Sequence, residues 1–523
     1  MLNPVRSLRA TARLLRSLSS RSYSAASLPR RASVLPASDL DSPLSPQQDE
    51  AAGEQMKPQP FVLRPLSRRY QLKQVSTPSP SSSSATLHFV SPAAPSQPRT
   101  LTLPNLFLRD ASIHPDHVHS ASQQKLFRTT DVPLDGKLVG YGVHDIPGHG
   151  ECLVTEWSTP LKGESVPVQT RKLSVVPVDF LAGIMKGDEA HKQSEGTLPP
   201  PRPWSREMLE GSLKRTEYTA FKGNDVALRE TLEALQRDGI VLLTGVPTEF
   251  KEGHNTELRN VVERIGSLRK TWYGDLWDVK AEEGSRNIAY TNLDLGLHMD
   301  LTHFDNPPRY QFLHSLQNTN ILGGLSYFVD TYALAAHLYE HSRSAFTTLA
   351  TEPVLFSYRN GPHHTRWVRP TFELEPGSSR TLHAVNYSPP FQGTLPLERI
   401  KREKNGDADA SADAARLADL HDALRQFAEL CDGASIPGSE GSKTEKWRWE
   451  HQLEPGECVV FDNRRVLHAR TAFEFAEGTT GGGRWLKGAY LDGDEVLSRL
   501  RVLKAKEREK AEKGDKRGRT LFV

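Results

Sequence analysis

The sequence predicts a mainly β chain with flanking helices (α+β), built as a small N-terminal β-rich domain followed by a larger one. Three observations carry this reading. From Leu101 onward, short apolar runs alternate with turns, as in GKLVGYGVHDI. The run IVLLTGV at 240–246 is continuous, apolar and of strand length. ECVVFDN followed by NRR and VLHAR reads as strand, turn and returning strand. Two helical patterns flank these strands. Asn224-Asp225 can cap a helix that carries Leu228, Leu232 and Leu235 on one face and stops at Gly239. Leu417, Leu420, Leu424 and Phe427 recur at steps of three and four after the charged insertion KREKNGDADASADAA.

Taken from the start, residues 1–31 are rich in Arg and Ser and contain no acid, the first being Asp39. Arg6, Arg9, Arg13 and Arg16 fall at helical spacing among leucines, which is the composition of a mitochondrial presequence, and Arg21-Ser22-Tyr23 resembles a matrix-peptidase site. Matrix localisation is the expectation. Residues 32–100 are dominated by Pro, Ser, Ala and Gln and are expected to be disordered, because they offer little apolar surface to offset ordering entropy. The β-rich domain is expected at 101–187, a linker at 188–203, the larger domain at 204–503 and a charged, solvated tail at 504–523. The net charge of +2 gives no global pull toward nucleic acid. No apolar run reaches the ~20 residues of a membrane span. The three cysteines, Cys152, Cys431 and Cys458, are too far apart for a disulfide framework and suit a reducing compartment.

The chemistry concentrates in LGLHMDLTHFDNPPRYQFLH. On a strand, residues two apart share a face, so His298 and Asp300 can grip one metal ion. A third ligand is available in His468, on the strand that returns after NRR. Two imidazoles and one carboxylate on one face of a metal leave positions open, which suits a non-haem Fe(II) that binds a co-substrate and O2. Sixteen residues on lies Arg484, whose guanidinium fork can hold a carboxylate through two parallel hydrogen bonds; the distal carboxylate of 2-oxoglutarate is such a target. Ser326, after Gly323–Gly324, can donate to the same group. An H-x-D triplet alone is common, and it is the further presence of His468 and Arg484 in strand contexts that raises it above chance. His303, His314, His337, His341, His363 and His364 have no such context and are read as surface or core residues.

YGDLWDVK, RNIAYTNLDLGLHMDL, NPPRYQFLH, GGLSYFVD, FDNRRVLHAR and GAYLDGDEVLSRLRVL resemble the γ-butyrobetaine dioxygenase family, close kin of trimethyllysine dioxygenase. The resemblance is good over 202–505 and weak over 101–187. It implies a double-stranded β-helix (jelly-roll) catalytic domain, Fe(II) with 2-oxoglutarate and O2 as co-substrates, ascorbate as reductant, and a place in carnitine biosynthesis. It also implies an aromatic cage for a quaternary ammonium, at Tyr273, Trp277, Tyr290 and Tyr490, and a substrate carboxylate met by Asn287 and by Asn386 or Ser388. The form GAYLDGDEV is closer to the butyrobetaine branch, and because the family is often dimeric the resemblance also implies a homodimer as an assembly this chain can form.

The chain departs from that family in one respect. The family's N-terminal domain holds a structural zinc through C-x-C-x-x-C after LRD and a later His. Here Ser112, His114 and His117 stand at the cysteine positions, the later His is missing from GESVPVQTRKL, and a thiolate zinc site is expected to be lost. This leaves three alternatives beside a γ-butyrobetaine hydroxylase: a trimethyllysine dioxygenase, a hydroxylase of another amine, or a non-catalytic paralogue that keeps the fold.

Overall fold

The computed structural model describes residues 70–519, apart from short stretches of which the longest are 186–197, 281–294, 434–445 and 476–482. The expected presequence at 1–31 and the expected contacts at Asn287 and Tyr290 lie outside the described residues.

The ordered chain begins well before the expected boundary at 101. Strands β1 (Gln71–Ser76), β2 (Ser84–Ser91) and β3 (Ala94–Pro104) form an antiparallel sheet, which corrects the expectation of disorder up to residue 100. The physical reason is a period-two pattern hidden in a Ser- and Pro-rich composition: Ala85, Leu87 and Phe89 alternate along β2 and are fully buried. A second sheet follows in β4 (Leu138–Ile146), β5 (Gly150–Trp157) and β6 (Leu173–Pro177). Leu87, Phe89, Leu153, Trp157 and Val176 share one apolar core, so the two sheets belong together.

Where the related zinc motif would lie, hydrogen bonds knit the chain instead. His117 is buried, with Nδ1 2.9 Å from the Ser112 hydroxyl and Nε2 3.1 Å from the Thr170 carbonyl. The carbonyl can only accept, so Nε2 donates to it and Nδ1 accepts from Ser112. Ser112 Oγ in turn accepts from the Val175 amide at 3.0 Å. Both imidazole nitrogens are therefore used within the fold.

Two main sheets frame the larger domain, beside four two-stranded pairs among the described residues. The major sheet runs β7 (Arg215–Glu217), β8 (Ile240–Thr244), β14 (Cys458–Asp462), β11 (Tyr310–Thr319), β16 (Gly483–Leu491), β9 (Leu276–Lys280). The minor sheet runs β10 (Leu295–His298), β15 (Val466–Arg470), β12 (Ser326–Asp330), β13 (Arg448–His451). From β9 on, the chain passes back and forth between them, with β9, β11, β14 and β16 in the major sheet and β10, β12, β13 and β15 in the minor one. That path is a double-stranded β-helix.

Side-chain alternation divides the strands' work. Outward residues of the major sheet, including Val241, Phe312, Val460 and Leu491, pack with Leu228, Leu232 and Leu235 of the helix Asp225–Asp238. Asn224 Oδ1 caps that helix by accepting from the Val226 amide, and Gly239 ends it at φ 73°. Outward residues of the minor sheet, such as Val329, Leu467 and Ala469, meet the helices Thr331–His341 and Ser411–Cys431. Ile240, Leu242, Phe328, Trp449, Val459, Phe461, Val466 and Leu486 form a separate core. These residues come from both sheets, which makes this core the filling between them.

The turn Asp462–Arg465 joins β14 to β15 and hence one sheet to the other. Arg465 is 2% exposed, and its guanidinium makes two hydrogen bonds to Asp330, at 2.9 and 2.8 Å. It also donates to the carbonyls of Arg237 and Arg202. Removing one partner of a buried pair strands a charge, at a cost of about 3–5 kcal/mol. Asp330→Ala is therefore expected to lower the unfolding free energy of the catalytic domain, read from denaturant curves, by that order, and adding Arg465→Met to recover part of the loss. In the N-terminal domain, burial pushes the His117 imidazole down to about 4, whereas the unfolded chain binds the proton near 6.5. The folded state thus loses stability as pH falls from about 6.5 through about 4. Equilibrium unfolding at several pH values should show this slope and should show it flattened in His117→Gln.

Candidate active site

The register of the minor sheet sets His298 of β10 directly opposite His468 of β15. Their outward neighbours, Leu297 and Leu467, enter the apolar layer behind the sheet, so both imidazoles point to the space between the sheets. The rings lie 4.3 Å apart between centroids and are almost wholly buried. Asp300 follows β10, with Oδ1 3.3 Å from His298 Nε2 and 3.9 Å from His468 Nε2. One ligand atom from each of the three residues lies within 4.8 Å of the others.

Several contacts hold this triad. His298 Nδ1 donates to the Gly296 carbonyl at 2.8 Å, which leaves Nε2 with its lone pair free for a metal. Asn463, in the turn between the sheets, grips the Asp300 peptide from both ends. Its Oδ1 accepts from the Asp300 amide at 2.8 Å, and its Nδ2 donates to the Asp300 carbonyl at 3.0 Å. The next residue, Leu301, has φ 57°, an unfavourable conformation for a branched side chain that this clamp sustains. Burial and the neighbouring His298 push His468 down to about 3, so it is a neutral imidazole as a ligand must be. Burial alone would raise the Asp300 carboxyl, but His298, His468 and the Tyr490 hydroxyl outweigh it and hold the group well below the usual carboxylate range. Two imidazoles around a carboxylate, all with ligand atoms facing one point, fit a divalent cation such as Fe(II).

Across the cavity, alternation along β16 sends Arg484, Leu486, Gly488 and Tyr490 to one face. Leu486 belongs to the core between the sheets, so this face is the inner one. Arg484 is 5% exposed and opposite Asn318 in the sheet, and its Cδ lies 3.5 Å from where a Cβ on Gly324 would stand. Burial and the nearby Arg470 push it down to about 9, with no carboxylate opposing the shift. A buried guanidinium beside a second cation is well placed to receive an anion. Ser326, buried at the start of β12, stands directly opposite Arg470. A dicarboxylate with one end at Arg484 suits this arrangement.

Of the expected cage residues, the structure brings Trp277 and Tyr490 together, with ring centroids 5.1 Å apart. Trp277 pairs with Gly488, where any Cβ would stand 2.4 Å from the indole, so glycine makes the room for that ring. Tyr273 belongs to a neighbouring aromatic group. Burial raises its hydroxyl pKa, helped by Tyr358 and by the charge of Asp300. Trp272 lies 5.9 Å from the Tyr273 ring, 5.6 Å from Tyr358 and 5.8 Å from His303. Asn386 is committed elsewhere, donating to the Pro370 carbonyl and to Glu373, both at 2.9 Å. Ser388 is buried with its hydroxyl unpartnered, and Tyr387 between them accepts from the Met299 amide, which sets this segment beside the triad.

Four contributors lie beyond what the sequence shows. Asn463 reads there only as turn. Arg470 sits two residues beyond His468 on the same face, a spacing that could mark it. The Tyr490 hydroxyl, which donates to Asp300 Oδ2 at 2.7 Å, is hidden behind its ring. His303 has no local signal, yet it is buried among Trp272 and Tyr358 with Nε2 unpartnered, and it feels the charge of Asp300.

The β-helix frame, the buried triad and the buried arginine opposite it define a metal-dependent oxygenase with a carboxylate-bearing co-substrate. Residues 210–490 match the family described as "Taurine catabolism dioxygenase TauD, TfdA family". The chain is 35% identical over 405 residues to "Dioxygenase str8" of Strobilurus tenacellus, covering 76% of this chain and 84% of that protein. It is 30% identical over 402 residues to γ-butyrobetaine dioxygenase of Pseudomonas sp. (strain AK-1), covering 76% and 90%. Trimethyllysine dioxygenase of Meyerozyma guilliermondii is 25% identical over 304 residues, covering 57% and 67%. The chain belongs to the TauD, TfdA family and is a 2-oxoglutarate-dependent dioxygenase.

Arg484→Met keeps the bulk and removes the charge. A charge-assisted hydrogen bond is worth about 1.5–3 kcal/mol, so the KM for 2-oxoglutarate should rise roughly 10- to 150-fold in steady-state succinate assays.

Proposed function

We propose that this dioxygenase hydroxylates a substrate bearing a trimethylammonium group, with γ-butyrobetaine as the first candidate. The observation that carries the proposal is the Trp277–Tyr490 pair set against the metal carboxylate. A quaternary ammonium offers no hydrogen bond, but an aromatic face attracts it at about 0.5–2 kcal/mol per contact. Fe(II) and 2-oxoglutarate, when bound, supply the activation of O2 and the oxidising power. His298, Asp300 and His468 would hold the metal, and Arg484 with Ser326 would orient the co-substrate. The buried inner faces of the two sheets exclude water from the reacting carbon.

A specific observation favours a second reading, a hydroxylase of a different amine. The Asn386 amide is spent on Pro370 and Glu373, and a serine, Ser388, follows where the related enzymes tend to carry a second asparagine. The partners for a substrate carboxylate are thus reduced. The arginine-rich leader supports placing the enzyme in the mitochondrial matrix, which import of the full chain into isolated mitochondria would test.

The deciding experiment supplies the protein with Fe(II), 2-oxoglutarate and ascorbate and follows succinate and hydroxylated product from γ-butyrobetaine and trimethyllysine in parallel. Succinate coupled to carnitine is the expected result. Succinate with neither product keeps the oxygenase and selects the second reading, and no succinate from the iron-loaded protein selects a non-catalytic paralogue. Trp277→Ala should raise the KM of the ammonium substrate about tenfold while bound iron is retained.

A further inference from the structure

The two oxygens of Asp300 face different partners. Oδ1 is turned to the imidazoles, 3.3 Å from His298 Nε2 and 3.9 Å from His468 Nε2. Oδ2 accepts from the Tyr490 hydroxyl at 2.7 Å. We propose that Tyr490 is a positioning residue for the metal: its hydroxyl holds Oδ2 so that Asp300 presents Oδ1 alone, while the same ring forms part of the substrate wall.

The geometry fixes both ends of this contact. The Asp300 backbone is clamped by Asn463, so the carboxylate can only turn about its own side-chain bonds. Tyr490 lies near the C-terminal end of the inner face of β16, where its peptide carbonyl accepts from the Arg269 amide at 2.9 Å. Its ring rests against Trp277, which itself occupies the space left by Gly488. A phenol in that setting cannot follow a rotating carboxylate, and the carboxylate's remaining freedom is removed instead. A ligand held to one oxygen leaves more of the metal's coordination sphere for co-substrate than one that chelates through both. Outer partners of this kind typically govern metal affinity by 10- to 100-fold.

The inference rests on the triad being the metal site and does not depend on which amine is the substrate. Co(II) is the probe, because its visible bands report coordination number without turnover. Titrated into the full-length protein, Co(II) should bind Tyr490→Phe at least about tenfold more weakly than wild type, with bands shifted toward higher coordination. Placing 3-fluorotyrosine at 490 keeps the ring and strengthens the donor, which draws charge from the carboxylate, so it should keep the wild-type coordination number while lowering the Co(II) affinity. This second protein decides the matter if Tyr490→Phe fails to fold. Unchanged bands and affinity in these proteins would reduce Tyr490 to a wall residue and overturn the proposal. His298→Ala separates the two levels: a wild-type Co(II) spectrum there would mean that the triad does not hold the metal, and the underlying reading would fall as well.

Discussion

Much of the catalytic domain hangs on the turn Asp462–Arg465, in which each side chain is buried and each secures a different part of the molecule. Asp462 pairs with Arg309 at the start of β11, Asn463 holds the Asp300 peptide, Arg464 reaches Glu373, and Arg465 locks onto Asp330 at the end of β12. Buried polar groups of this kind are costly unless every partner is in place. The turn therefore works as a single unit. It carries the chain from one sheet to the other and sets where the metal carboxylate sits relative to the imidazole that follows on β15.

Strand alternation does the rest. The residues that pack the outside of each sheet fix the direction of those that face inward, so the chemistry is oriented by hydrophobic burial one residue away. Leu467 and Ala469 hold His468 and Arg470 inward, and Ala489 and Leu491 do the same for Tyr490. A shift of register by one residue would turn the ligands into the helices behind the sheet. The metal site is thus as well specified as the core itself.

How far the sequence reveals this depends on the range of each interaction. The helix Asp225–Asp238, its cap and the strands around His298 and His468 are legible because their signals are local. The facing of His298 and His468 across the sheet is not, since register is set by packing between distant segments. β1 to β3 escape because a mean over Ser- and Pro-rich residues conceals an alternation confined to a few positions. Asn463, Arg470 and His303 escape for a related reason: an isolated polar residue carries no periodicity, and only the folded neighbourhood shows what it touches. Asn386 illustrates the converse, since a residue type suited to binding a carboxylate is consumed by the hairpin beside it.

Gly488 has a consequence for how such an enzyme can change. The indole of Trp277 fills the volume that a side chain would need, and every other amino acid carries at least a Cβ. A larger residue at 488 would have to displace the indole, so the flat wall that Trp277 forms depends on glycine there. Room for a differently shaped substrate is therefore more readily made on the side where Trp272, His303 and Tyr358 stack than at this wall.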